Sequence, residues 1–254
     1  MTENEIRRAS PESQYEGIGA VPEDTPGMFW LRMEDDYDSR MKLGGMLAAQ
    51  YRYREAVEAY RLAERIRQDD PGLYLRLGGA LLTLFRFDEA LDAYRRASAL
   101  GMPEKKTAFY FGAWHYLTGS YVEAADHFRK VLPADDENTV SAIYWHTLSA
   151  LKTGSRPELL AELRPDLKPG HHAAYRRALC AFTGEADPDA LFSEARDGRN
   201  DLDAAILSYG LAVRCETSGD PVRARECLNL TLSRVSVWPC VASLSARREY
   251  RAEK

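Results

Sequence analysis

Long apolar runs are missing from this chain: none approaches the roughly 20 residues needed to cross a bilayer, so no membrane partner is expected. The opening MTENEIRRASPES lacks the apolar centre of a secretion signal, and the expected compartment is the cytoplasm. Positive charge is also short. The formal net charge is −5 and the sequence pI about 5.7, whereas a nucleic-acid surface asks for a basic domain, so no nucleic-acid partner is expected.

Cysteine and histidine are scarce and badly spaced for metal chemistry. Cys180, Cys215, Cys227 and Cys240 form no CxxC pair and have no histidine close behind them, which argues against zinc and for buried, reduced thiols. His171 and His172 are adjacent at an expected helix start and would point to different faces. No HExxH, GxSxG, P-loop or GxGxxG motif occurs. Asp35-Asp36 and Asp135-Asp136-Glu137 lack the alternating ligands and glycine of a calcium loop and suit helix N-termini instead. No cofactor, metal or catalytic residue is expected.

What the chain has instead is a period. Leu43-Gly44 recurs 34 residues later as Leu77-Gly78, Ala56 as Ala90, Tyr60 as Tyr94 and Ala63 as Ala97. A third block continues with Phe111-Gly112, Ala124, Phe128 and Val131. A fixed period of this length marks a stack of helix pairs. In the first block the pattern predicts helices over Met41–Gln50 and Tyr53–Arg67. Glycine in a helix interior costs about 1 kcal/mol relative to alanine, so Gly44, Gly78 and Gly112 predict close helix crossings. Tyr60, Tyr94 and Phe128 lie four residues after Ala56, Ala90 and Ala124, on the same face, as the bulky side chains that fill the space between repeats.

These residues, with turns at Arg52-Tyr53, Arg86-Phe87 and Gly119-Ser120-Tyr121 and with Pro103 after a second helix, make Tyr37 to Pro133 resemble the tetratricopeptide repeat (TPR) family. Pro71 falls three residues later than the family's usual proline, which implies a longer first inter-repeat turn. The resemblance implies an all-α, right-handed superhelical solenoid of antiparallel helix pairs whose concave groove binds peptides or protein segments. The family's carboxylate-gripping pocket uses a lysine and an asparagine where this chain has Met41 and Gly45; only Lys106 survives from that pattern, so a chaperone-tail clamp is not expected.

In chain order the expectation is a flexible polar arm over residues 1–25, a cap segment and three well-formed repeats over 26–138, and degenerate repeat-like pairs with a C-terminal cap helix over 139–254, about six pairs in all. Met28 to Met33 caps the open end of the first repeat or begins its first helix; alternatively the arm folds back into the groove. The fourth pair is expected over Thr139–Lys152 and Arg156–Leu163, the fifth over 170–183 and 188–197, and the sixth over Asp201–Thr217 and Pro221–Val235. The last segment, Val241–Tyr250, is read as a solvating cap with Ser245, Arg247, Arg248, Glu249 and Arg251 outward.

Because the family's first helices line its groove, the implied contact residues are Phe109, Tyr110, Tyr144, Trp145, Tyr175 and Tyr209, with Arg76, Lys106, Lys152 and Arg176 as charged candidates. Aromatic side chains dominate binding hot spots, but at helical spacing they also build cores. The function that follows is a non-catalytic interaction scaffold or adaptor that holds a peptide or protein segment. The alternatives are a peptide-sensing regulator whose arm blocks the groove, and an enzyme around His146, His171 and His172. Self-association into a homo-oligomer is left open by the exposed sides of the end repeats.

Overall fold

A computed structural model describes residues 23–252, so the expected polar arm lies outside the described residues except for its last three positions. The described residues form thirteen α-helices and no strand, and fall into two compact units divided between Trp114 and His115.

The N-terminal unit opens with α1 (Pro26–Met33), capped by Thr25 Oγ1, which accepts from Met28 N, and with Pro26 in its first turn. It is a helix of its own and packs on α2 (Tyr37–Ala49). Helix α2 begins four residues before its expected start because Asp36 accepts from Ser39 N and caps it there. Arg32 and Arg52 both bond Asp24 and Glu55, which ties α1 to the first turn of α3 (Tyr53–Ile66). Helices α4 (Pro71–Thr83) and α5 (Phe87–Ala99) repeat the hairpin, and α6 (Glu104–Thr118) starts the next. Asp70 caps α4, with Pro71 in its first turn, so the late proline opens a helix.

Gly44 and Gly78 do what their spacing asks. A Cβ on Gly44 would lie 2.5 Å from the Tyr60 ring, and one on Gly78 would meet the Tyr94 ring closer still. Tyr60 and Tyr94 are 2% and 0% exposed, each filling the hollow its glycine leaves. The hairpins also close alike. Arg52 N donates to Leu47 O at 2.9 Å and Arg86 N to Leu81 O at 3.0 Å, after Tyr51 and Phe85 adopt left-handed φ of 62° and 59°. Such a φ costs a non-glycine residue roughly 1–2 kcal/mol. Ring stacking of Tyr51 on Tyr53 and of Phe85 on Phe87 offsets part of it.

In the C-terminal unit the same turn recurs with glycine in the left-handed place: Ser120 N to His115 O after Gly119, and Asp220 N to Cys215 O after Gly219. The helices are α7 (Tyr121–Arg129), α8 (Asp136–Lys152), α9 (Ala173–Thr183), α10 (Pro188–Asp197), α11 (Asp201–Thr217), α12 (Pro221–Ser233) and α13 (Val241–Ala252). Two expectations are corrected here. The second helix of the fourth pair is only a 3-10 turn, Glu158–Glu162, because Pro157 and Pro165 bracket too short a stretch for an α-helix. The last helix is no solvating cap: Ala242 to Arg247 is buried without interruption, with Ser245 and Arg247 each 3% exposed. Trp238, itself buried, turns the chain back so that α13 packs on both α11 and α12.

Candidate functional site

In the N-terminal unit the 34-residue period places Lys42, Arg76 and Tyr110 at equivalent positions on the first helices α2, α4 and α6. All three are exposed. Each second-helix tyrosine links its own glycine to the next of these positions. Tyr60 fills the hollow at Gly44 and lies beside Arg76, and Tyr94 fills the hollow at Gly78 while its ring stands 5.6 Å from that of Tyr110. Trp114 Nε1 donates to Phe87 O at 2.8 Å and pins α6 to its neighbour. The core thus fixes where each exposed side chain emerges.

One helical turn on, Gly45 and Gly79 leave the same face bare. A Cβ on Gly79 would meet nothing within 4 Å, and one on Gly45 would come no nearer than 3.7 Å to Arg76 Nη1. Lys106 is exposed on the first turn of α6 and Phe109 is half-buried behind Tyr110. Among the described residues, neither Lys42, Arg76 nor Lys106 pairs with a carboxylate, and the only acids on these helices up to Trp114 are Asp38 and Glu104 at their openings. The face is therefore cationic in a chain of net charge −5, with bare backbone beside it and an aromatic ring at one end. On α3 and α5, by contrast, ion pairs form: Arg61 bonds Glu64 and Glu89. Lys42 was missed in the sequence, although the 34-residue offset from Arg76 was the signal that would have found it.

The six implied residues of the C-terminal unit behave differently. Tyr144, Trp145 and Tyr209 are 0% exposed, which removes them from any ligand-facing surface. Tyr144 OH donates to Ile206 O at 2.9 Å, and the rings of Tyr116, Tyr144, Trp145, Tyr175 and Tyr209 pack edge to face as a core. The cause is α8, whose residues Val140 to Ala150 are all buried because α7, α9, α11 and the two 3-10 turns before α9 pack around it. The signal was present: no charged residue stands between Glu137 and Lys152, and a helix apolar all round is a buried helix. Tyr175 is half-buried, 4.8 Å from the Tyr144 ring. Arg176 staples the preceding loop by donating to Arg164 O, Leu167 O and Pro165 O. Lys152 is held between Glu216 and Glu249.

The alternative catalytic region fares similarly. His146 is 1% exposed, and burial, with a smaller contribution from the Arg129 charge, holds its pKa at about 4. That imidazole is neutral and out of reach of a substrate, while His171 is exposed on a separate turn. Among the described residues no group of histidine, cysteine and acidic side chains is placed to hold a metal. All four cysteines are free thiols; Cys215 and Cys227 are buried, but Cys180, expected in the core, is half-buried, and burial pushes Cys227 up to about 12.

A family model described as tetratricopeptide repeat matches residues 75–139, from α4 to the start of α8. No curated protein sequence matches the chain. Among solved structures, YrrB, a TPR protein with an unusual peptide-binding site, is similar at 14% identity over 83% of this chain and 92% of its own, with a TM-score of 0.48. The glycine–tyrosine lock repeated at 34 residues and the recurring hairpin turn agree with that match, and the tetratricopeptide-repeat assignment holds for residues 75–139.

Proposed function

We propose that this protein is a non-catalytic interaction scaffold that holds an acidic peptide segment against the exposed first-helix face of its N-terminal unit. The observation that carries the reading is the coincidence of Arg76, Lys106 and Lys42, none paired with a carboxylate among the described residues, with the bare backbone at Gly45 and Gly79. Cations that no internal acid neutralises attract and orient an anionic segment, and glycine lets its main chain approach closely. Tyr110, 37% exposed, supplies an apolar anchor whose ring is already positioned by Tyr94, so little side-chain freedom is lost on binding.

The test is selection of phage-displayed random peptides on the full chain, followed by fluorescence anisotropy with the enriched sequences. Enriched peptides should combine Asp or Glu with an apolar residue. The Arg76→Ala/Lys106→Ala double variant and Tyr110→Ala should each weaken binding at least tenfold, the double variant with an unfolding midpoint close to wild type because both side chains are exposed, and Tyr110→Ala with a modest drop from the lost Tyr94 ring contact. Enrichment of neutral or basic peptides, or wild-type affinity in both variants, would reject the reading.

A further inference from the structure

The C-terminal unit holds a cavity whose floor carries carboxylates. An open cavity of about 830 Å³, within the size range of small-ligand pockets, is walled by Val222, Ala224 and Leu228 of α12 and Ala212 of α11. Val222 is 72% exposed, a large apolar side chain left at the rim. The floor is charged. Lys152 Nζ lies 3.0 Å from Glu249 Oε1 and also bonds Glu216 Oε2; its side chain is 8% exposed. Behind Glu249 stands a buried relay: Tyr209 OH donates to Glu249 Oε1 at 2.8 Å, and Tyr116 OH bonds Tyr209 OH at 2.8 Å.

Two carboxylates share one ammonium, so the floor holds one negative charge in excess. Tyr209 and Lys152 both address Glu249 Oε1, and among the described residues Oε2 takes no hydrogen bond. Burial raises the Glu249 pKa against the pull of Lys152 and the Tyr209 hydrogen bond. Lys152 is itself unsuited to nucleophilic chemistry: burial works against its charge, but Glu249 and Glu216 outweigh it and its pKa is raised. At the mouth Glu226 is engaged by Arg223, and the Arg225 guanidinium lies 4.4 Å over the Tyr250 ring.

We propose that this cavity binds a guanidinium or primary ammonium group carried next to a short apolar moiety, the cation reaching Glu249 and Glu216 and the apolar part lying on Val222 and Leu228. A planar guanidinium on two carboxylates satisfies the vacant acceptors with fixed geometry. The test is isothermal titration of the full chain with three probes: acetyl-leucyl-arginine amide, its neutral citrulline counterpart, and spermidine. The arginine probe should bind at least tenfold more tightly than the citrulline one. Glu249→Gln and Glu216→Gln should each weaken it at least threefold, while Arg76→Ala/Lys106→Ala leaves it unchanged, which separates this site from the first. Spermidine binding as well as the arginine probe would name a free polyamine as the source of the cation; weaker spermidine binding would name a side chain of a protein segment. Should Glu249→Gln fail to fold, Glu216→Gln decides, since its side chain is 54% exposed at the edge. Equal affinity for the citrulline probe, wild-type affinity in the folded glutamine variants, or no heat with any probe at millimolar concentration would overturn the proposal.

Discussion

Adjacent glycines on α4 have opposite reasons to exist. Gly78 faces Tyr94 and Gly79 faces open space, although both sit mid-helix where alanine is preferred by about 1 kcal/mol. Gly78→Ala forces the buried tyrosine ring to move, and overpacking of this kind typically costs about 1–3 kcal/mol, more than the propensity gain. Gly79→Ala meets nothing and should stabilise the helix by roughly 0.5–1 kcal/mol. Urea unfolding of the two variants should therefore move the midpoint in opposite directions; equal shifts would mean that the Tyr94 contact does not constrain the hairpin. On the functional side, Gly79→Ala places a methyl on the face proposed for the peptide. It should reduce affinity for the selected acidic peptides while it raises stability, a pairing that a purely structural glycine would not give.

At the scale of elements, α8 shows where a local pattern misleads. The tetratricopeptide resemblance assigns Tyr144 and Trp145 to an inner wall by their place in a first helix, as it does Tyr110 one repeat earlier, which is exposed. In α8 those residues are buried, because the fourth block has a 3-10 turn instead of a second helix, and α9, α11 and the flanking turns close over them. Two helices were legible from the sequence down to single residues: Pro188–Asp197 and Asp201–Thr217 fall where the turn signals put them. The inversion of α13 was not legible, because outward and inward helices can carry the same serines and arginines, and only tertiary packing decides between them.

Burial of α8 also gives the unit a pH response. His146 sits at about 4 in the folded chain and near the ordinary 6.5 once unfolded. Between those values the unfolded chain takes up a proton that the folded one refuses, so the stability present above about pH 6.5 is lost as pH falls toward 4. The gap corresponds to roughly 3 kcal/mol for a side chain this deeply buried. The urea midpoint of wild type should fall between pH 7 and pH 4.5 by more than that of His146→Leu. Parallel losses would show that the imidazole is hydrated and titrates normally.

Over the whole molecule, a net charge of −5 conceals two local surfaces of different sign, one in each unit. The composition that argued against nucleic acid could not show this, since a sum over 254 residues erases the grouping of Lys42, Arg76 and Lys106. Exposed charges are screened over about 8 Å at physiological salt and about 3 Å at 1 M. Raising sodium chloride from 0.05 M to 0.5 M should weaken the acidic peptide several-fold. The unfolding midpoint should move little, because the core that positions these groups is aromatic and aliphatic. A peptide affinity indifferent to salt would show that Tyr110 and its apolar neighbours, not the cations, dominate recognition.

The lock between each glycine and its tyrosine carries one more implication. Since buried atoms alone dictate where positions 42, 76 and 110 surface, the groups displayed there are interchangeable letters on a fixed grid. Swapping lysine, arginine and tyrosine among the three should rewrite which cargo is recognised while leaving the spacing of the script untouched.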